Sequence, residues 1–374
     1  EGTDDYFLAG GRVPWWAAGI SIFATGLSAI TFMAIPAKAY VSNMNAWIGM
    51  WPMVIIIPLV VYYYLPFFRK LNVTSAYEFL EQRFNLASRL IASALFMLFH
   101  VGRIAIVLYL PALALSSVTD IDIYLAILSI GILCIVYTVM GGLEAVVWTD
   151  AIQAIVLLGG ALLCIIVIVF QMDGGLGAII NVAQADSKIL TVDWGTLDFG
   201  SSTNSAWVIM AGFMFASLPS YTAGQDVVQR YVSTPTEKEA ARSLWLNMPM
   251  AILGSLLFFS LGVALYAFYQ TQPGLLEPAM ERNDGILPFF ILQNLPVGVS
   301  GLIVAGIFAA AQSTISSSLN SVATAYVTDF HGRVLKPESS DGERLKVAKQ
   351  VVLLLGVIGI SVAALIAYTG MKSA

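Results

Sequence analysis

Stretches of about twenty consecutive apolar residues recur along this chain. At roughly 1.5 Å of rise per residue each can cross a hydrocarbon core about 30 Å thick, and that is the strongest constraint on its fold. A strand of an outer-membrane barrel needs only about ten residues, alternating in polarity and separated by turns. These segments are longer and continuous, so α-helices are the spanning structure left. Charged residues make up 11% of the 374 positions and hydrophobic ones 58%, whereas soluble domains carry about 25% charge. An ordinary soluble globular protein or soluble enzyme is therefore excluded, and the class is an all-α polytopic membrane protein.

Apolar runs between charged or Gly/Pro-rich loops predict nine spans, over residues 14–40, 46–68, 87–117, 122–140, 144–170, 205–223, 240–270, 297–329 and 346–369. The stretch Gly285 to Leu295 is apolar but too short to cross, and reads as an interfacial helix. Loops alternate sides, and one assignment gathers thirteen of the eighteen Lys and Arg on one face, including Arg69, Arg89, Arg230, Arg242, Arg333 and Arg344. Lys38, Lys188, Arg282 and Lys372 fall opposite, and Arg103 lies within a span. The positive-inside rule then predicts that Glu1 is cytoplasmic, in a plasma (inner) membrane. The first residue is not Met and the last apolar run stops at Ala374, so we expect both ends of a longer protein to be missing. Cys134 and Cys164 both sit inside apolar segments, and His100 and His331 are isolated. Neither a disulfide framework nor a thiolate metal site is supported.

Two spans look interrupted. The first carries Ala24-Thr25-Gly26-Leu27-Ser28 near its middle and the sixth carries Ser217-Leu218-Pro219-Ser220, where Gly, Pro and hydroxyl groups loosen helical bonding. First and sixth are the places where a five-plus-five inverted repeat puts its discontinuous helices beside a midplane site. Gly and Pro are also common in unbroken transmembrane helices, so the feature alone leaves both readings open.

Arg103 falls about 16 residues into the third span, near the bilayer centre, where an unpaired cation costs at least a few kcal/mol. It needs either a protein carboxylate or a ligand anion. Asp150 is the only acid that reads as lying well inside a span, but its level about 9 Å into the fifth is too shallow to pair comfortably with Arg103. We therefore expect Arg103 to face an anionic substrate. From Gln312 to Ser321 the eighth span has polar side chains at eight of ten positions. Ser313, Ser316, Ser317 and Asn320 share one helical face. Such a stripe serves either as helix-helix glue or, with Asp150 and freed backbone carbonyls at its level, as an all-oxygen shell for a small hard cation.

At these residues the sequence resembles the sodium/solute symporter family. The carrying motifs are FFRKLNVTSAYEFLEQRF at 67–84, GGLEAVVWTDAIQ at 141–153, QDVVQR at 225–230 and GIFAAAQSTISSSLNS at 306–321. Within it, FATGLSAITFMAIPAKAY and FMLFHVGRIAIVLYL are most similar to bacterial sialic acid symporters. The resemblance implies a leucine-transporter-type fold with discontinuous first and sixth core helices and its terminal helices absent from this chain. One transporter domain would fill 1–374, with a first repeat of five helices over 14–170 and four helices of the second over 205–369. It implies a principal sodium site from backbone oxygens of Ala24, Leu27 and Ala310 with the hydroxyls of Ser313 and Thr314. A second sodium site, present in some members, would use Asp150, Ser313, Ser316 and Ser317. The substrate carboxylate would go to Arg103, with Ser28, Thr31, Phe213 and Gly26 at the pocket. Gly26, Ala46 and Met50 replace Thr, an aromatic and an amide of the sialic acid pattern, which loosens contact with the sugar.

The expected function is sodium-driven symport of a carboxylate-bearing solute, sialic acid first. One or two sodium ions, a small anion and the lipid bilayer are the implied partners, with no nucleic acid and a functional monomer. Other solutes such as sugars, proline or other organic acids, and a sensor or channel of the same fold, are the alternatives. A channel would need a polar stripe along its whole pore, whereas polarity here concentrates near the midplane and inner half. No nucleophile with base, metal-ligand cluster or phosphate loop points to an enzyme.

Overall fold

The structure, a computed structural model, describes the chain apart from residues 1, 72–73, 117–118, 120, 196–204, 277–284 and 370–374. Glu1, Arg282 and Lys372, used above to orient the chain, lie outside the described residues, as do Asn72 and Val73 of the first motif and Ser117 at the end of the third expected span. The described residues are almost entirely helical. A short α1 (Thr3–Leu8) precedes α2 (Trp15–Gly26) and α3 (Ala29–Val41), which form one span bent by 56°. The path Asn45–Leu71 is a single span assembled from a 3₁₀ turn, α4 (Met53–Leu59), a π turn and α5 (Leu65–Leu71). Pro58 inside α4 removes one backbone donor just before the π turn, a common cause of such a local widening. The short α6 (Glu78–Arg83) leads into α7 (Leu86–Ser116) and α8 (Ile123–Gln171), followed by α9 (Gly175–Ala185). The second half contains α10 (Ala206–Thr222), α11 (Gln225–Val232), α12 (Glu237–Thr271), α13 (Ile286–Asn294), α14 (Val297–Ala325) and α15 (Asp341–Thr369).

Length and composition show six long apolar spans, or eight when each bent pair is counted as one. The ninth comes from α8. A straight helix of its 49 residues would run about 74 Å, more than twice the hydrocarbon core. Gly142 adopts φ 52°, ψ −143°, and the two halves fold back on each other. The Tyr137 hydroxyl in the first half donates to the Gln312 carbonyl at 3.0 Å, while Asp150 in the second accepts from Ser313. Residues thirteen apart thus reach neighbouring positions of α14. The fourth and fifth spans are therefore recovered on either side of the expected turn, and α13 takes up the short apolar stretch Gly285 to Leu295.

The sixth span differs from expectation. Pro219 lies inside α10 without ending it, and the 54° bend falls after Thr222, at Ala223 and Gly224. The Pro219 carbonyl accepts from both Ala223 N and Gly224 N, at 2.8 and 3.0 Å, which closes the helix there. Beyond the bend α11 continues, and seven of its eight residues are buried, including Asp226, Gln229 and Arg230. The span thus runs past residue 223 into a segment whose polar sequence reads as a loop.

One core dominates, built mainly from α2, α3, α7, α8, α12 and α14 around Phe32, Phe258, Phe268 and Phe290. On α7 and α15 only 28% and 22% of the most apolar window is buried, and Leu95, Phe99, Leu354 and Leu365 face outward. Apolar residues on both the packed and the open face mark helices that meet lipid.

Gly142 is a required glycine: its φ is left-handed and a Cβ would stand 2.5 Å from the Tyr6 carbonyl oxygen. Gly142→Ala is expected to cost about 1–3 kcal/mol, read as a lower thermal midpoint in detergent. Gly159→Ala, in open space, should leave the midpoint unchanged.

Candidate substrate and cation site

The bend between α2 and α3 opens onto a cavity of about 360 Å³. Leu27 leaves helical geometry (φ −92°, ψ 95°) and Ser28 restarts it as the cap of α3. Thr25, Gly26, Leu27 and Thr31 line one side of the cavity, Arg103 of α7 another, and Phe213, Ser217, Ser220 and Asp226 of the sixth span a third. Four of the five expected substrate residues, Gly26, Thr31, Arg103 and Phe213, are thereby brought together. Ser28 is not among the residues lining the cavity; its hydroxyl accepts the Thr31 amide at 3.1 Å and caps α3. Met50 reaches the wall but Ala46 does not. A side chain on Gly26 would meet nothing within 4 Å, so this wall is open.

Arg103 donates to the Thr25 carbonyl at 2.8 Å and to Asp226 at 3.3 Å. Its partner is thus a protein carboxylate, so Asp150 is not the only acid inside the bundle, which corrects that expectation. The pair is loose and 24% of the Arg103 side chain remains exposed, on the cavity wall. Two hydrogen bonds leave a five-donor guanidinium with capacity for a further anion.

Asp150 is fully buried and bonded on every side: by Ser21 at 2.5 Å, by Ser313, and by Arg230 Nη2 at 3.0 Å. Arg230, itself 0% exposed, also donates Nε to Ser21 at 2.6 Å, Nη2 to Ser317 at 2.5 Å and Nη1 to the Asp226 carbonyl. Of the residues expected around a second sodium, Asp150 and Ser317 are engaged by a guanidinium. Ser313 donates to Asp150, whereas Ser316 turns back to the Ser313 carbonyl at 3.0 Å. In the principal set, Ala24, Leu27, Ala310, Ser313 and Thr314 are all buried. The Thr314 hydroxyl lies 3.5 Å from the Ala310 carbonyl oxygen, while Ser313 is engaged by Asp150. Arg230 also leaves the set of cytoplasmic loop charges used above to orient the chain, because it lies inside the bundle. Ser21, Asp226 and Arg230 are the site residues that sequence reasoning missed. The i, i+4 spacing of Asp226 and Arg230 was the available signal, since it puts both on one face of a helix if that segment is helical.

The profile of the sodium:solute symporter family matches residues 6–372. The chain belongs to that family. It is 50% identical over 356 residues, 95% of this chain and 71% of the relative, to the sodium/sialic acid symporter SiaT of Proteus mirabilis (strain HI4320). To the sodium/sialic acid symporter NanT of Aliivibrio fischeri (strain ATCC 700601 / ES114) it is 46% identical over 360 residues, 96% of this chain and 70% of the relative. A solved substrate-bound, outward-open Na⁺-coupled sialic acid symporter superposes with TM-score 0.94 at 48% identity, over 98% of this chain and 77% of that one. The nucleobase-cation-symport-1 family transporter MHP1 shares the fold, with TM-score 0.61 at 15% identity over 94% of this chain and 72% of that one. This symporter is thus a transporter and not an enzyme, and its bent first and sixth spans belong to the leucine-transporter-type fold.

Removing one member of a buried ion pair costs about 3–5 kcal/mol, because the other charge is stranded. Arg230→Met in this symporter should show such a loss as a lowered thermal midpoint. Adding Asp150→Asn should recover much of it, and equal midpoints for single and double variants would show that the pair is not coupled.

Proposed function

We propose that the chain imports N-acetylneuraminate or a closely related sugar acid together with sodium, by alternating access. The observation that carries the reading is Arg103 on the cavity wall, held only loosely by Asp226 and backed by the Thr25 carbonyl. The names of the relatives, sodium/sialic acid symporters, supply the solute class. Charge balance supports coupling. Arg103 with Asp226 and Arg230 with Asp150 form two neutral pairs, so a carboxylate entering alone leaves one uncompensated negative charge in a low-dielectric interior. One sodium ion cancels it, and each ligand improves the other's binding by the same factor.

Ala24, Leu27, Ala310, Ser313 and Thr314 are the proposed principal sodium ligands, all hard oxygens as that ion prefers. A second ion at Asp150, Ser313, Ser316 and Ser317 requires Arg230 to turn away, so occupancy there is tied to a shift of α11. The two repeats would be 14–170 and 205–369 of one transporter domain. The protein works as a monomer in the inner membrane with residue 1 on the cytoplasmic side, a bias in Lys and Arg that survives the loss of Arg230 from the count. Gly26 and Met50 leave the sugar's arms weakly held, so discrimination falls on the carboxylate.

The test is competition against labelled N-acetylneuraminate uptake in proteoliposomes with a sodium gradient. N-glycolylneuraminate should compete and the carboxamide analogue should not. Proline or glucose competing where no sialic acid does would overturn the substrate. Arg103→Lys keeps the charge but loses the fork, so binding of the acid should weaken by about 1–3 kcal/mol with the neutral analogue little changed. Ser313→Ala should raise the half-saturating sodium concentration, and an unchanged sodium activation curve would remove Ser313 from both ion sites.

A further inference from the structure

Away from the central cavity, a groove of about 660 Å³ runs between the first half of α8 and the start of α15. Its floor and walls are apolar, from Ile135, Val139 and Met140 on α8 and Leu353 on α15, and Lys346 and Lys349 stand along its rim. The positions 346, 349 and 353 follow i, i+3, i+7, so both ammonium groups and the apolar contact lie on one face of α15. The Lys349 Nζ lies 5.8 Å from the ring centroid of Tyr6, whose carbonyl abuts Gly142, where α8 turns back. The charged end of the groove therefore lies at the level of the membrane boundary, and Val139 and Ile135 lead from it toward the hydrocarbon. Among the described residues neither lysine takes part in an ion pair, whereas Lys336 nearby does.

We propose that this groove binds one anionic glycerophospholipid, its phosphate against Lys346 and Lys349 and part of an acyl chain against Ile135, Val139, Met140 and Leu353. The charge pattern decides the occupant. A zwitterionic lipid gains little from two unpaired cations, and a protein helix seated there would need an acid at the lysine level, while an anionic lipid matches both the apolar floor and the charged rim. The inference rests on the chain spanning a membrane and not on what it transports.

Native mass spectrometry of the detergent-purified protein with added 1-palmitoyl-2-oleoyl phosphatidylglycerol or phosphatidylcholine tests it. One phosphatidylglycerol should bind saturably, with phosphatidylcholine weaker. Each lysine is worth about fivefold in affinity, so Lys346→Gln/Lys349→Gln should weaken phosphatidylglycerol binding by about 25-fold. Val139→Trp, which fills the groove and keeps the lysines, should also abolish the saturable event. Equal binding of the two lipids, or phosphatidylglycerol binding unchanged in both variants, overturns the proposal. Binding to the parent protein that inorganic phosphate abolishes at low millimolar concentration would assign the lysines to a free anion and overturn it too. Sodium-coupled uptake measured on the same variants reports separately on the transport reading, since neither alters the central cavity.

Discussion

Charges inside the bundle must be compensated within the protein, and the placement of α11 depends on that requirement. Arg230 holds Ser21 of α2, Asp150 of α8, Ser317 of α14 and the backbone of Asp226 in its own helix. A guanidinium can satisfy four groups at once because its five donors lie in a fixed plane, which a lysine could not reproduce. Each bond offsets part of the desolvation cost, and losing one member leaves the others buried without a partner. The network pins the polar face of a short half-helix of eight residues whose other side chains, Val227, Val228 and Tyr231, join an apolar cluster. Once Arg230 is anchored, Asp226 one turn earlier is carried to the cavity wall beside Arg103.

The two glutamines of α11 are bound in the same way. Gln229 reaches the Phe7 carbonyl and, at 3.1 Å, the Thr324 hydroxyl. Gln225 donates to the Thr74 carbonyl and accepts the Ala76 amide, both at 2.8 Å. A neighbouring pair, Arg89 with the fully buried Asp329 at 2.7 Å, ties α7 to the end of the eighth span. Apolar packing resists displacement gradually, but hydrogen bonds to buried partners are made or lost as a set, so this region favours discrete arrangements. In the proposed cycle, movement of α11 changes the partners of Asp150 and Arg103 together, which is how ion and solute would be coupled without touching.

The membrane class, the broken first span and the inward hydroxyl face of α14 were legible because apolar length and helical periodicity report burial directly. The turn between the fourth and fifth spans was also readable, from Gly141 and Gly142. The sixth span was not, and one error explains three omissions. QDVVQR carries too many polar groups to register as membrane-embedded, so the span was closed at residue 223. Asp226 and Arg230 were thereby set outside the bundle, and Arg103 appeared to lack a protein partner. Hydropathy measures what a segment would cost alone in lipid, while α11 is buried in protein, where Ser21, Ser317 and Asp150 supply what lipid cannot. The capping role of Ser28 was not read either, and its reason is local: a serine at a helix restart is claimed first by the nearest unpaired amide.

In the proposed function, the loose contact of Arg103 with Asp226 would set what the cavity can select. A guanidinium locked between two well-placed carboxylates would have no donor for a ligand, while one with no protein partner would destabilise the empty site by several kcal/mol. At 3.3 Å, with a carbonyl on the other side, Arg103 is stable without substrate and still able to receive it. In the proposed reading the solute's carboxylate would compete with a weak internal ligand, and its affinity would be the difference between two contacts with the same cation. Neutral sugars would gain nothing in that exchange. Under that proposal, selection by charge at this wall would tolerate the open space beside Gly26, where fit around the sugar would matter less than the presence of the anion.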